Sequence, residues 1–424
     1  MRVIINPEPA QWDSLCRRPK QDDASTLHRV QSILERVRDG GDPALLQLTQ
    51  EIDHVSLSGL QVSVSEVDDA CRQVDASLRQ AIETAYERIM SFHQKQLPGP
   101  VLLDTHDGIC CERRYLPIER VGLYIPGGSA PLFSTLLMLA IPARVAGCRQ
   151  IILCTPCRSD GTVHPAILYT AHRCGVSQIF KVGGAQAIGA MAYGTESIGR
   201  VSKIFGPGNR YVMLAKQLVS AQGTAIDMPA GPSEVMVMAD ATANPSFVAA
   251  DLLSQAEHGP DSQSVLLTTD RSLISAVQSE VECQAGRLQR SEQIRESLSH
   301  SLLIQLNNDD DMVRFANHYA PEHLIISTQD AWTLANQVTA VGSVFVGRWS
   351  PESAGDYASG TNHTLPTVGL AAAYSGLGTD SFMHAVTYQA LTREGLERLA
   401  PTIVTMAQAE GLQAHAEAVK IRLR

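Results

Sequence analysis

No stretch of this 424-residue sequence approaches the roughly 20 consecutive apolar residues that a membrane-spanning helix needs. The first residues, MRVIINPEPAQWDSLCRRPKQDD, lack the apolar centre of a secretory signal, so a cytoplasmic location is expected. Positive charge is in deficit: 34 lysines and arginines stand against 44 acidic residues, a net charge of -10. Nucleic acid and anionic membrane both need a basic face, and neither is expected as a partner. An anionic cofactor is not excluded, because a few backbone N–H groups can hold a phosphate inside an acidic protein. The nine cysteines are odd in number, and Cys110 is adjacent to Cys111. That argues against a secreted disulfide framework and for reduced thiols. There is no short-period repeat, no low-complexity segment and no G-x-G-x-x-G fingerprint: Gly206 and Gly208 have its spacing, but Tyr211 stands where the third glycine would be.

What remains is the composition of a globular chain, 44% hydrophobic and 18% charged, long enough for two or three packed units. From Ala24 to about Leu97, apolar residues recur at three- and four-residue intervals. This predicts scaffold helices, with a stop at Gly40-Gly41. From Val121, short apolar runs alternate with helical stretches. VGLYIP, QIILCTP, QIFKVGG, EVMVMAD, QSVLLTTD, LLIQL and HLIIST read as buried strands. Strands separated by helices of this length imply parallel sheets with covered faces. The fold class is therefore α/β: two Rossmann-like parallel-sheet domains, a helical N-terminal segment and a helical C-terminal tail. The expected boundaries are an N-terminal segment over 1–20 and a first α/β domain over 21–120 plus 235–378. A second α/β domain follows over 121–234, and the helical tail over 379–424.

Five clusters could carry chemistry. The first is a set of glycine-rich turns after strands, at 124–131, 182–190 and 205–210. Each alone is a tight strand-to-helix turn, but three in about 85 residues suggest a phosphate-binding rim on one edge of a sheet. The second is NPSFVAADLLSQAEHGPDS. Asn244 and Pro245 open a helix, and Gln255 and His258 lie three apart in its last turn. They could make half of a zinc site, or a solvated helix end with His258 favoured by the dipole. The third is NHYAPEHLIIST, in which Pro321 pushes Ala320 into extended geometry and Glu322 and His323 sit at the mouth of a strand. An adjacent acid and imidazole can divide proton work or simply cap the strand. The fourth, 348–367, is a loop without regular structure that holds Asp356 and His363. The fifth is EGLQAH, where Gly411 can bend the backbone between Glu410 and His415. The Cys154-Thr155-Pro156-Cys157 motif has redox spacing but no second pair to complete a zinc site, and is assigned no catalytic role.

These clusters, in this order, resemble the histidinol dehydrogenase family. VGLYIPGGSAPLFSTLLMLAIPARVAGC, VGGAQAIGAMAYGTES, KIFGPGNRYV, AIDMPAGPSEV, DLLSQAEHGPDSQ, APEHLII and WSPESAGDYASGTNHTLPT carry the likeness, from about residue 112 onward. The resemblance implies an NAD-dependent, four-electron oxidation of L-histidinol through L-histidinaldehyde to L-histidine, with one zinc ion per subunit. It places zinc ligands on Gln255, His258, Asp356 and His415, and the proton-handling pair on Glu322 and His323. Substrate contacts fall on Ser233, Gln255, His258, His323, Asp356, Glu410 and His415, with His363 close by. Dinucleotide contacts fall on Tyr124, Gln186 and Asn209. It also implies a homodimer with exchanged tails, in which Glu410 and His415 serve the neighbour's site. A relative acting on another small alcohol, a zinc hydrolase and a non-catalytic binding protein are the competing possibilities. The glycine-rich turns speak against the hydrolase, and the complete ligand set against the binding protein.

Overall fold

The computed structural model describes residues 1–18, 24–105, 107–127, 130–229 and 231–424. In chain order the strands are β1 (Arg2–Ile5), β2 (Val101–Asp104), β3 (Ile109–Pro117), β4 (Arg120–Tyr124), β5 (Gln150–Thr155), β6 (Gln178–Lys181) and β7 (Lys203–Phe205). They continue with β8 (Ala225–Ile226), β9 (Glu234–Ala239), β10 (Gln263–Thr268), β11 (Leu302–Gln305), β12 (His323–Ser327), β13 (Ser343–Val346) and β14 (Met383–Leu391). One sheet has the order β1-β11-β10-β9-β12-β13 and a second the order β6-β5-β4-β7-β8. Every neighbouring pair in both is parallel, as the alternation of strands and helices predicts.

The first sheet is covered on both faces. Along β9, which is buried at every position, Val235 and Val237 face a core containing Leu252, Val277 and Leu303. Met236 and Met238 face the opposite core, with Trp12, Phe315 and Tyr319. Successive strand side chains alternate between faces, so one strand feeds two cores.

Two boundaries differ from the sequence expectation. The helices between residues 24 and 94 belong with the second sheet, not the first. Ala24–Leu48 packs on Gly184–Tyr193, Val64–Gln73 on Pro165–Cys174, and Ala76–Gln94 on Phe133–Ala146. Their apolar stripes complete the cores around residues 121–228, whose helices are too apolar to face water. The N-terminal segment, conversely, gives the first sheet its edge strand β1 and its buried Trp12. The expected boundary between residues 20 and 21 lies outside the described residues. Gly41 does interrupt the first long helix, with φ at +53°.

Apart from a 3₁₀ turn at Thr379–Phe382, the tail is helical only after Leu391. β14 runs antiparallel to β3 along its whole length, and β2 flanks β3 on the other side. Most of β14 is exposed, so no core-facing alternation marks it in the sequence. Helices Arg393–Ala409 and Gln413–Leu423 follow, separated at Gly411 with φ at +74°. No helix among the described residues is long and apolar enough to cross a membrane.

The second sheet's helices are tied to the 348–367 segment through buried His93. Its Nδ1–H donates to the Ile89 carbonyl at 2.9 Å, and its Nε2 accepts from the Asn362 amide at 3.2 Å. Asn362 also donates to the Met138 carbonyl at 2.7 Å. Burial holds the His93 pKa below its ordinary 6.5. The unfolded chain therefore takes up a proton below about 6.5 that the folded protein refuses, and stability falls with pH in that window. The unfolding midpoint should drop as pH falls below that value, and His93→Gln should flatten part of the decline. An unchanged slope in the variant's Tm–pH profile would contradict this.

Candidate active site

The site lies at the amino-terminal edge of the first sheet, where β9 and β12 begin side by side with His323 opposite Val235. Ala320 is not extended: it closes helix Asp309–Tyr319 in a left-handed conformation, φ 51° and ψ 66°, with its N–H on the Ala316 carbonyl. The helix's need for a C-terminal cap overrides the preference that Pro321 imposes. The chain then enters β12 with Glu322 and His323 both buried.

One residue holds this pair. The Glu234 N–H donates to Glu322 Oε2 at 2.9 Å, and the Glu234 carbonyl accepts from His323 Nδ1–H at 3.2 Å. The imidazole Nδ1 lies 3.7 Å from Glu322 Oε2. With its hydrogen on Nδ1, His323 presents a lone pair on Nε2, which is 3.9 Å from Asp356 Oδ1.

Gln255 and His258 arrive from the helix Pro245–Ala256, which Asn244 caps by accepting from the Ser246 N–H. The helix ends before His258, so this residue sits in the following turn and not in the last helical one. Its N–H still reaches the Gln255 carbonyl at 3.1 Å. Gln255 is fully buried, and neither its amide oxygen nor its amide nitrogen has a protein partner. A buried amide left unbonded is costly and expected of a group that faces a ligand.

The 348–367 segment is not an irregular loop throughout. It contains a short helix, Glu352–Tyr357, that turns both Glu352 and Asp356 inward. Ligand atoms of His258, Glu352 and Asp356 all lie within 4.8 Å of one another, with His258 Nε2 at 4.0 Å from Asp356 Oδ2. Glu352 is absent from the sequence-derived site. It is 1% exposed, neither carboxylate oxygen has a hydrogen bond, and Oε1 lies 3.3 Å from His323 Nδ1. Its only signal was a four-residue offset from Asp356, one helical turn. Ser233, half-buried, immediately precedes β9. His363 donates from Nδ1 to the Asp356 carbonyl at 2.8 Å and accepts at Nε2 from the Thr135 hydroxyl at 3.3 Å. Glu410 and His415 are exposed on the tail, and His415 takes no part in the His258–Glu352–Asp356 cluster.

Burial dominates the site's electrostatics and resists charge of either sign. It raises Glu322 and Glu352 well above the usual carboxylate range. Asp356 is pushed up to about 6, and Asp251, on the preceding helix, to about 7. The imidazoles move the other way: His323 falls to about 3 and His363 to about 4. For His258 burial also lowers the pKa, against the opposing pull of Asp356, although half of its side chain is open to solvent.

The dinucleotide-type residues lie at the opposite, carboxyl-terminal edge of the second sheet. Tyr124 ends β4 and accepts the Gly184 N–H on its hydroxyl at 3.0 Å. Gln186 is buried in the helix that Gly184 opens, with an unpartnered Nε2. Asn209 caps helix Arg210–Ala221, and its Oδ1 accepts from the Tyr211 and Val212 N–H groups. The turn before it is braced from below: buried Lys216 pairs with Asp227 and donates to the Gly206 carbonyl at 2.9 Å. Gly206 has φ at +130°, and a side chain there would strike the Tyr124 carbonyl. Gly128 and Ser129 of the first glycine-rich turn lie outside the described residues. The helix that follows that turn, Phe133–Ala146, supplies the Thr135 contact to His363, so the rim and the acid–imidazole site are physically joined. All nine cysteines are free thiols, and Cys154 is fully buried with its pKa raised, which suits packing and not redox work.

Comparison with known proteins gives the chain's family. The family profile described as histidinol dehydrogenase matches residues 16–423. The histidinol dehydrogenase of Bacteroides fragilis is 52% identical over 423 residues, covering 100% of this chain and 99% of that protein. That of Vibrio parahaemolyticus is 49% identical over 428 residues, with 100% and 98% covered. The crystal structure of histidinol dehydrogenase from Elizabethkingia anophelis superposes with a TM-score of 0.97 at 49% identity, covering 100% of this chain and 98% of that one. The chain belongs to the histidinol dehydrogenase family.

Proposed function

We propose that this oxidoreductase carries L-histidinol through L-histidinaldehyde to L-histidine in the cytoplasm, a four-electron oxidation that consumes NAD⁺ and closes histidine biosynthesis. The observation that carries the reading is the His258–Asp356 cluster beside the buried Glu322–His323 pair, together with the fully buried, unpartnered Gln255 amide one turn before His258.

An amide oxygen, an imidazole nitrogen and a carboxylate are a donor set suited to zinc. Gln255, His258 and Asp356 would hold the ion, with His415 of a second copy as the fourth ligand. Bound there, zinc supplies a positive charge that orients a substrate bearing an imidazole and an amine. His323 is the base for the first oxidation. It stays neutral at physiological pH, its Nδ1–H is tied to Glu234, and Nε2 is free to take the carbinol proton. Glu322 serves the second oxidation by deprotonating the water that adds to the aldehyde. Burial makes its carboxylate, once ionised, a stronger base than an exposed one. Ser233, His363 and the neighbour's Glu410 complete the substrate pocket. No thiol is needed. Tyr124, Gln186 and Asn209 would contact the dinucleotide, which places NAD⁺ on the 121–234 unit and the metal on the first sheet.

Tail exchange between two copies has support in the exposed apolar residues of the ribbon and tail, including Leu102, Leu103, Met406 and Ile421. The exposed Glu410 and His415 are then available to the neighbour. The acidic charge favours neither nucleic acid nor membrane as a partner.

The direct test is a coupled assay with histidinol and NAD⁺. Two NADH should form per histidinol consumed, and a chelator should abolish turnover until zinc is restored. One NADH per substrate, or indifference to the chelator, would overturn the assignment. In single-turnover measurements Glu322→Gln should spare the alcohol oxidation and slow the aldehyde step about 10²- to 10⁴-fold. Equal loss of both steps would contradict the division of labour.

A further inference from the structure

The Glu234 backbone holds both members of the acid–imidazole pair, and its side chain is held in turn from the N-terminal segment. Arg18 grips the Glu234 carboxylate with two parallel bonds, Nε to Oε1 at 2.8 Å and Nη2 to Oε2 at 2.9 Å. The pair is buried, the side chains being 12% and 2% exposed. The guanidinium is itself fixed on every side. It donates to the Tyr319 carbonyl at 2.8 Å and the Cys16 carbonyl at 2.7 Å, and its Cζ lies over the Tyr319 ring, 3.6 Å from the centroid. The Tyr319 hydroxyl is anchored by Gln263 at 2.6 Å. Glu234 Oε1 also accepts the N–H of Val368, a residue in the left-handed region at φ +58°. The neighbouring Thr367 hydroxyl accepts from the Gly231 N–H, two residues before Ser233.

A planar guanidinium making a bidentate bond, held over an aromatic ring, allows one orientation of its carboxylate and little else. That orientation fixes the first residue of β9, whose N–H and carbonyl set the positions of Glu322 and His323. A buried ion pair of this kind adds little net stability compared with apolar packing, and its better-attested use is specifying one arrangement. We infer that Arg18 and Glu234 are the positioning residues for the Glu322–His323 pair, acting on the chemical steps through the Glu234 peptide group and touching neither substrate nor cofactor. The inference rests on the reading that this pair does the proton work. It gives the otherwise unassigned start of the chain a role, from 216 residues away, in aligning the reaction.

The test uses zinc-loaded, dimeric enzyme carrying Arg18→Ala, Arg18→Lys or Glu234→Gln, assayed well below each variant's Tm. For Arg18→Ala, kcat should fall about 10- to 100-fold, with KM for histidinol and for NAD⁺ moving less than about threefold. Methylguanidinium should restore part of the lost kcat. Arg18→Lys, which keeps the charge but not the fork, should fall in between, as should Glu234→Gln. Arg36→Ala, which removes an exposed pair with Glu51, should change nothing and ignore methylguanidinium. If Arg18→Ala cannot be purified folded, the lysine and glutamine variants decide the matter by the same split between kcat and KM. A lowered Tm with kcat within about threefold of wild type, or a loss confined to KM, would show a structural role only and overturn the inference. Glu322→Gln and His323→Ala, run in parallel, separate the two claims. Full turnover in those variants would remove the pair itself, whereas loss there with full activity in the Arg18 and Glu234 variants would remove only the brace.

Discussion

Desolvation at the edge of the first sheet is the constraint on which the rest of the structure turns. Glu322, Glu352 and Asp356 are packed with His323 and His363 where water is scarce. Carboxyl groups there rise toward neutrality, and imidazoles fall toward it. Such a pocket is poor at holding charge by itself and well suited to a cation, since a cation would favour the ionised carboxylates and tolerate the neutral imidazoles. Gln255, with both amide atoms unbonded to protein, is consistent with the proposed cation.

The fold makes this arrangement possible by opposing two sheet edges. The site lies at the amino ends of β9 and β12, while the glycine-rich turns lie at the carboxyl ends of β4, β6 and β7. The 348–367 segment bridges them: Asn362 reaches Met138 and His93, His363 reaches Thr135, and Asp356 reaches back toward His258. Under the proposed reading, in which one unit carries the dinucleotide and the other the substrate, these contacts would hold the two sites in register.

Much of this was legible in the sequence, and the failures have physical causes. The buried parallel strands announce themselves as short apolar runs such as EVMVMAD and HLIIST, because both faces of each are covered. Glu322, His323, His258 and Asp356 stand out in the sequence as chemistry-bearing residues, and their side chains lie close together, while Gln255 is buried on the helix just before His258. Glu352 was not legible, because a six-residue helix is too short to leave a periodic trace in a Gly/Ser/Pro-rich segment. β14 was missed because its exposed surface carries no core-facing alternation. The left-handed Ala320 reflects a helix cap overriding a local preference. The Arg18–Glu234 contact spans 216 residues, and nothing near either residue foretells it.

The central claim is that Gln255, His258 and Asp356 converge on a cation, completed by a tail from a second copy. Anomalous diffraction at the zinc absorption edge, on crystals of the zinc-loaded dimer, tests it most directly. The account predicts one peak per site, bounded by Gln255 Oε1, His258 Nε2, the Asp356 carboxylate and His415 of the partner subunit. A peak elsewhere, or none with Gln255 turned to bond protein, would contradict it.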